Sequence, residues 1–319
     1  MPRLSFSAAL LLAAAGLASS SGRLDAQDAP HGALKRPALG GHTFLSSDFV
    51  PDPFIRGFVR QSLGVAQALD LQFPLGIIDG DTLVVLNGDL TFAVLDLEYQ
   101  AAVKDWIAAR GRINLRTRLG TDGTSLLAEG LQVSTGFEFG WLLRLVQSEK
   151  VVLSANVDVT RSSFTVVDFR QFLEDVIADA EDPQLADNVP AVRGSGGLRF
   201  AWGASPLFGL TALFEAGYGD AARRDREGDF IYTLGTVLDF DFGAVSPVPI
   251  GLGLGYRQSS LVQQVDAESD TRAVVVRLGY TGRPDFVVAL DILGNSVRDA
   301  SLAEPVKSVG ALLAMRYYF

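Results

Sequence analysis

The sequence predicts an all-β fold: a transmembrane, antiparallel, up-and-down β-barrel of about twelve strands with a short helix in one long loop. Three observations support this prediction. The chain is 48 % hydrophobic with a mean hydropathy of +0.24, yet no apolar run of about 18 residues follows residue 26. Apolar side chains recur at every second position in many segments, and the connections between these segments alternate in length.

Composition also narrows the chemistry open to the chain. The 37 Asp and Glu residues outnumber the 27 Lys and Arg residues, and the net charge of −10 disfavours nucleic acid as a partner. Without cysteine, the chain has no disulfide, no thiolate nucleophile and no Cys-ligated metal. Its two histidines, His31 and His42, both precede position 43. We therefore predict neither a cofactor nor a metal site.

Residues 1–26 predict an export signal. Arg3 precedes the apolar run 8–18, and small residues up to Ala26 suit cleavage by a signal peptidase. The run is shorter than the roughly 20 residues that a membrane-spanning helix needs. We predict that residues 1–26 are a signal peptide cleaved after Ala26.

Residues 27–63 do not share the alternating pattern of the rest of the chain. Prolines and glycines interrupt regular structure as far as Phe54. The segment is nevertheless too apolar for a simple linker, since it contains Phe44, Leu45, Phe49, Val50, Phe54, Ile55 and Phe58. Two interpretations remain open: the segment fills the barrel mouth as a small plug, or it packs beneath the barrel.

Residues 64–319 carry the strand pattern. Between 131 and 146 the odd positions, from Leu131 to Leu145, are almost all apolar, whereas the even positions are mostly polar or glycine. Such a two-faced strand fits a wall between lipid and a polar lumen. The predicted strands are 64–73, 90–103, 106–118, 131–146, 151–164, 195–204, 208–219, 229–242, 249–260, 271–281, 284–293 and 307–319.

The connections between the predicted strands form two classes. Short connections lie near 104–105, 147–150, 205–207, 243–248 and 282–283, and long ones at 74–89, 119–130, 165–194, 220–228, 261–270 and 294–306. Short turns at one end and long loops at the other are typical of bacterial membrane barrels. Because the strand number is even, both ends of the barrel chain are expected on the short-turn side.

The longest connection contains a helical spacing. Phe169, Phe172, Leu173, Val176 and Ile177 recur at intervals of three and four residues, which predicts a helix of about three turns. Its opposite face is acidic but lacks the spacing of a calcium loop. We weigh two interpretations, a constriction folded over the pore and a surface helix packed on neighbouring loops.

The pattern as a whole resembles the outer-membrane β-barrel superfamily of Gram-negative bacteria. The chain end is the most specific element, because Gly310 lies in a polar-x-Gly-x-x-apolar-x-apolar stretch and Tyr317 and Phe319 follow it. This stretch is similar to the insertion signal of that superfamily, although Leu313 and Met315 stand where aromatic residues are commoner. The resemblance implies an outer-membrane location with the short turns in the periplasm. The implied partners are outer-membrane lipids, periplasmic chaperones and the barrel-assembly machinery.

We predict that charged side chains on the polar faces line the lumen. The main candidates are Asp96, Glu98, Arg110, Arg112, Arg116, Arg118, Glu138, Arg144, Arg199, Asp239, Arg257 and Arg277, and further ones are Asp158, Glu215, Asp241, Asp291 and Arg316. Strand 106–118 has the densest charge, and its four arginines must face inward because an arginine at mid-bilayer costs about 2–4 kcal/mol.

Two interpretations of these four arginines stay open. They form a track that draws anionic solutes, similar to arrangements in twelve-stranded porins for acidic sugars. Alternatively, they belong to a structural lattice of ion pairs in which Asp96 and Glu98 neutralise Arg110 and Arg112.

The favoured function is passive diffusion of a small hydrophilic or amphipathic solute across the outer membrane, with a weak anion preference. One alternative is a non-conducting structural or adhesive barrel. A second is an outer-membrane enzyme, as in the barrel phospholipases, lipid A deacylases and omptin-like proteases, which implies a His beside Ser or Asp at the rim. Residues 43–319 contain no histidine, so we predict that the chain is not an enzyme.

Overall fold

The structure is a computed structural model that describes residues 36–78, 81–119, 130–167, 186–220, 228–260, 270–298 and 305–319. Its strands are β1 (Ala38–Leu39), β2 (His42–Thr43), β3 (Phe58–Ile78), β4 (Asp81–Lys104), β5 (Ile107–Leu119), β6 (Gly130–Gln147), β7 (Val151–Val167), β8 (Ala186–Gly203), β9 (Phe208–Gly219), β10 (Asp229–Asp241), β11 (Ile250–Ser260), β12 (Asp270–Tyr280), β13 (Phe286–Arg298) and β14 (Val306–Tyr318).

Strands β3 to β14 form one closed antiparallel barrel of twelve strands, which confirms the predicted fold. Each strand pairs with its neighbour in the chain, and β14 closes the ring on β3 with Arg316 opposite Arg60. Closure gives the backbone groups of every strand hydrogen-bond partners, whereas the edge strands of an open sheet would find none in lipid. Among the described residues, no helix is both long and apolar enough to cross a membrane.

Three predicted strands begin too late in the chain: β3 starts at Phe58 rather than 64, β4 at Asp81 rather than 90, and β8 at Ala186 rather than 195. The predicted long connection 74–89 is therefore wrong, because β3 and β4 pair with each other as far as Ile78 and Asp81. Arg60 and Pro190 interrupt the sequence patterns of the other two strands, but Arg60 faces the interior and Pro190 still lies opposite Ser163 of β7. Pairing across the barrel therefore extends these strands beyond their local sequence signal.

The outer face of the barrel is apolar all the way round. Each barrel strand contributes at least one exposed apolar side chain: Leu63, Leu97, Ile113, Phe139, Val157, Leu198, Phe214, Leu234, Leu254, Val276, Leu290 and Leu313. Leu63, for example, is 54 % exposed and Val157 is 55 % exposed. Water would disfavour a continuous apolar surface of this size, whereas a lipid bilayer matches it.

The predicted helix around Phe169 falls within 168–185, outside the described residues. The short helix that the structure does describe is a 3-10 turn, Phe242–Ala244, in the connection between β10 and β11. The Asp241 side chain caps this turn by accepting a hydrogen bond from the Gly243 N–H at 3.1 Å.

Residues 36–57 form a plug inside the barrel. The plug begins with a hairpin in which β1 pairs β2 through Gly40 and Gly41, whose φ angles of 56° and 84° suit a two-residue turn. Gly40 also approaches the wall so closely that a Cβ atom there would lie 2.6 Å from the Gly203 carbonyl oxygen. The remainder of the plug is irregular, and its apolar side chains Phe44, Leu45, Phe49, Val50 and Phe54 are all buried.

Inward-facing glycines of the barrel make room for the plug. A Cβ atom at Gly235 would lie 2.8 Å from Val50, one at Gly251 would lie 2.8 Å from Leu45, and one at Gly255 would lie 3.0 Å from Phe49. The glycine-rich face, which the sequence suggests as the lining of a small lumen, is therefore covered by the plug on these strands.

Candidate functional site

The candidate site is the inner wall of the barrel where it meets the plug. The plug lies at the short-turn end, since the Gly40 N–H donates to the Glu149 carbonyl at 2.8 Å and the Arg36 N–H donates to the Pro284 carbonyl at 2.9 Å. Both carbonyls belong to short turns between strands. The long-loop half of the lumen lies beyond the plug.

A network of buried charges crosses half of the wall. Seven consecutive strands, β3 to β9, contribute one member each: Arg60, Glu98, Arg110, Glu138, Asp158, Arg199 and Glu215. We call these seven residues the charged network. Because a buried charge without a partner is costly, the placement of each arginine beside at least one carboxylate of a neighbouring strand stabilises the network as a whole.

The contacts within the charged network are short. Arg60 Nη2 lies 3.0 Å from Glu98 Oε2. Arg110 bonds Glu138 and also lies 2.8 Å from Asp158. On the next strands, Arg199 Nη2 lies 3.2 Å from Glu215 Oε1 and 3.6 Å from Asp158 Oδ2.

The arginines of β5 divide into two groups. Arg112 donates to Asp96 Oδ1 at 2.8 Å through Nη2, and Arg110 lies 3.9 Å from Glu98, so these two arginines belong to the ion-pair lattice. Arg116 is exposed on the inward face in the long-loop half, and Arg118 lies further along the same face, partly buried.

The wall also holds the plug backbone. Arg277 pairs with Asp291 at 2.9 Å and donates hydrogen bonds to the carbonyls of Leu45 and Ser46. Asp239 accepts a hydrogen bond from the Leu45 N–H at 2.8 Å. An irregular segment has few backbone bonds of its own, so the wall side chains satisfy these buried groups.

Three further wall contacts fix the plug on other strands. Arg316 pairs with Asp52 at 2.8 Å. Ser154 donates to the Pro53 carbonyl at 2.7 Å, and Gln100 donates to the Phe54 carbonyl at 2.8 Å. The plug is thus bound to strands on all sides of the lumen.

His42 is part of the plug attachment. Its Nδ1 lies 3.1 Å from the Pro206 carbonyl, which can only accept, so Nδ1 is the donor. Its Nε2 lies 3.3 Å from Asp239 Oδ1. The ring is fully buried, its Nδ1 binds the plug to the turn after β8, and its Nε2 lies beside the carboxylate of β10.

An apolar patch covers the opposite side of the lumen. Phe49 and Val50 of the plug pack with Leu213, Val237, Ala273 and Val275 of the wall. Arg257 lies above the Phe49 ring, 5.4 Å from its centroid, and donates to the Phe49 carbonyl at 3.3 Å. The charged network thus lies on β3 to β9, and the apolar patch lies on β9 to β12 beside the inward-facing Arg257.

The plug places Asp48 among guanidinium groups. Its Oδ2 lies 3.5 Å from Arg60 and 3.9 Å from Arg112. Burial alone would raise the pKa of Asp48, but Arg60, Arg112 and Arg277 together outweigh burial and hold that pKa well below its usual value. Burial lowers the pKa of Arg36, which donates to the Thr281 carbonyl at 2.7 Å.

Sequence reasoning missed Arg60 and the charged residues of the plug, Asp48 among them, and misplaced Arg144. Arg60 and Asp48 were not candidates, because the first strand was expected at 64 and the plug has no periodic pattern. Arg144 lies toward the short-turn rim, 3.4 Å from the exposed Asp105 of a turn, and not with the charged network. If the first predicted strand had been extended to Phe58, the alternation of its side chains would have placed Arg60 on the inward face.

The predicted insertion signal lies at the seam of the barrel. Tyr317 and Phe319 face outward, and Phe319 stacks on Tyr99 with ring centroids 6.0 Å apart. Gly310 lies against β3, where a Cβ atom would be 3.1 Å from the Val65 carbonyl oxygen. Recognition of this end by an insertion machinery stays a prediction.

Within the described ranges, no group of three or more His, Asp or Glu side chains is arranged to hold a metal ion. The charged network instead joins carboxylates to guanidinium groups.

A closed twelve-stranded antiparallel barrel with an apolar outer face and a charged inner face defines a β-barrel of the outer-membrane class. No protein family and no curated protein matches the sequence. Solved structures of similar shape include the NanC porin, with 7 % identity over 82 % of this chain and 100 % of that chain, at a TM-score of 0.48. An outer membrane channel from Pseudomonas putida F1 has 13 % identity over 86 % of this chain and 98 % of that chain, at a TM-score of 0.48. The toluene transporter TodX of P. putida has 11 % identity over 90 % of this chain and 99 % of that chain, at a TM-score of 0.43.

Proposed function

We propose that the chain is an outer-membrane channel for passive diffusion of a small hydrophilic or amphipathic solute, with a weak anion preference. In this proposal residues 1–26 are a cleaved signal peptide, and the barrel is not an enzyme. The plug acts as a gate on the periplasmic side. Periplasmic chaperones and the barrel-assembly machinery deliver the chain to the membrane.

One observation carries the proposal: the inner face is polar and reaches solvent in the long-loop half, whereas the plug closes the short-turn half. Inward-facing side chains that stay at least partly accessible there are Asn114, Arg116, Thr233, Arg257, Ser259, Asn295 and Ser308. A vestibule of this kind admits water and small solutes as far as the plug.

The contacts that hold the plug favour a movable gate and not a permanent part of the barrel core. Most of its backbone partners are wall side chains, such as Arg277 and Gln100, which water can replace when the plug leaves. The wall behind it keeps its own ion pairs, Arg110 with Asp158 and Arg112 with Asp96. These two wall pairs thus persist when the plug is displaced, and the lumen can hydrate.

The anion preference depends on two arginines. Neither Arg116 nor Arg257 forms an ion pair with a carboxylate in the part of the chain that the structure describes. The other luminal arginines are largely balanced by the charged network and by Asp96 and Asp291. The field of these two arginines favours anions only modestly, because salt screens it over about 10 Å at 0.1 M.

A non-conducting structural barrel is the second candidate. The buried ion pair between Arg316 and Asp52 and the apolar packing of Val50 favour it, because both tighten the closed state. The two candidates differ in whether the plug ever leaves the lumen.

Conductance in planar bilayers separates the two candidates. The comparison uses the full barrel and a variant lacking residues 36–57, with folding of both checked by heat-modifiable gel mobility. A channel gives rare openings with the plug and steady current without it. A folded full-length barrel that never opens would overturn the proposed function, whether or not the variant without the plug conducts.

A further inference from the structure

The plug presents a carboxylate and a phenyl ring side by side in the lumen. Asp48 and Phe49 are consecutive, yet they enter different surroundings. The Asp48 carboxylate points to arginines of the wall, 3.5 Å from Arg60 and 3.9 Å from Arg112. The Phe49 ring enters the apolar patch on the other side.

The charges around Asp48 leave room for one negative charge. Four arginines interact electrostatically with it: Arg60, Arg112, Arg257 and Arg277. The wall carboxylates within 4.0 Å of these four are Glu98, Asp96 and Asp291. Without Asp48, four positive charges therefore face three negative ones, and a single anion restores the balance.

The neighbouring apolar pocket has the size of one ring. Phe49 is buried there against Val237 and Val275, and Gly255 forms its floor, since a Cβ atom would lie 3.0 Å from the Phe49 ring. The guanidinium of Arg257 covers the ring face at 5.4 Å from the centroid. Such a pocket accepts a small aryl or branched alkyl group and a cation–π contact.

We propose that this is the binding site of a small amphipathic monocarboxylate, such as an aryl-substituted acetate, and that Asp48 and Phe49 occupy it in the closed state as a built-in competitor. A solute that binds there displaces the plug and opens its own path. This inference rests on the proposed function and names the solute class.

The chemistry distinguishes this solute from its relatives. A neutral aromatic alcohol fills the ring pocket but leaves four cations against three carboxylates. Acetate balances the charge but leaves the apolar side chains of the patch exposed to water. Because a ligand shifts a conformational equilibrium only by its differential affinity, a solute that satisfies both halves displaces the plug most effectively.

Plug displacement can be followed without measuring current. The chain has no cysteine, so Val50→Cys gives a single thiol, at a position that is 1 % exposed in the closed state. A membrane-impermeant maleimide labels this thiol only when the plug leaves the patch. The probes are phenylacetate, 2-phenylethanol and acetate, added to the full-length barrel in a neutral detergent.

Phenylacetate at about ten times its dissociation constant is expected to raise the labelling rate about tenfold. The other two probes at the same concentration should leave the rate unchanged. Asp48→Asn should label rapidly without any probe and gain nothing from phenylacetate. Asp105→Asn, which removes an exposed turn carboxylate, should behave as the parent protein.

Three results would overturn the inference: no acceleration by phenylacetate, equal acceleration by 2-phenylethanol, or an undiminished response in a folded Arg257→Gln barrel. Acceleration in a barrel that passes no current would support the site and refute the channel. Current without any effect of phenylacetate would support the channel and refute the site.

Discussion

Replacing Phe49 by alanine tests how firmly the apolar patch holds the plug. Phe49 is 5 % exposed and packs with Val50, Val237 and Val275. A buried Phe→Ala change costs about 3–5 kcal/mol when the surroundings cannot collapse. Because the plug can leave the patch, we take the lower value of about 3 kcal/mol, which corresponds to a roughly 100-fold shift from the closed to the open state.

The assay is single-channel open probability in planar bilayers. Phe49→Ala should raise the open probability by about two orders of magnitude at constant single-channel conductance, since only the gate changes. Phe139→Ala is the matched control, because it removes the same ring from the outer face, where Phe139 is 45 % exposed to lipid. Equal open probabilities in both variants would refute the assignment of Phe49 to the gate.

Three further predictions follow from the same contacts. Arg60→Met leaves the buried Glu98 without this arginine and should lower the free energy of unfolding in urea by about 3–5 kcal/mol. Arg283→Met, which removes an exposed ion pair in a turn, should lower it by at most about 1 kcal/mol. Equal losses would contradict a role for the charged network in stability. In the docked plug the pKa of Asp48 lies below the ordinary Asp value of about 4, so ionised Asp48 stabilises docking fully at every pH above that value. The stabilisation is lost as pH falls through the pKa of docked Asp48. Titration of Asp48 should therefore leave the open probability flat from pH 5 to 8 and raise it in acid. The acid rise should be absent in Asp48→Asn, and an unchanged rise would assign it elsewhere. The single variant Arg116→Gln should lower anion selectivity, measured as the reversal potential in a salt gradient, more than Arg112→Gln, whose arginine is held by Asp96; the opposite order would leave the β5 arginines as structural partners only.

The sequence predicts those parts of this molecule that depend on local pattern. The alternation in β10 places Leu234 and Leu238 outward and Asp239 inward, as the structure has them, because neighbouring side chains of a strand point to opposite faces. The short turn between β4 and β5 also fixes their register, which brings Glu98 opposite Arg112.

The contacts of the plug could not be predicted in the same way. Asp48 meets Arg60 and Arg112 from a segment without periodicity, and Phe49 enters a patch made by strands that lie far along the chain. No spacing in the sequence encodes such contacts. The inward glycines, Gly251 among them, were a signal of close approach, but they do not reveal which segment approaches.

A reversible lock on the plug tests whether the plug gates the lumen. A Cβ atom at Gly235 would lie 2.8 Å from Val50 Cγ2, so the double variant Val50→Cys/Gly235→Cys places two thiols within disulfide reach in a chain that has no other cysteine. The oxidised barrel should be silent in a planar bilayer, and adding a reductant to the same membrane should restore openings. Equal current before and after reduction would show that solutes pass without movement of the plug and would contradict a gating role for residues 36–57.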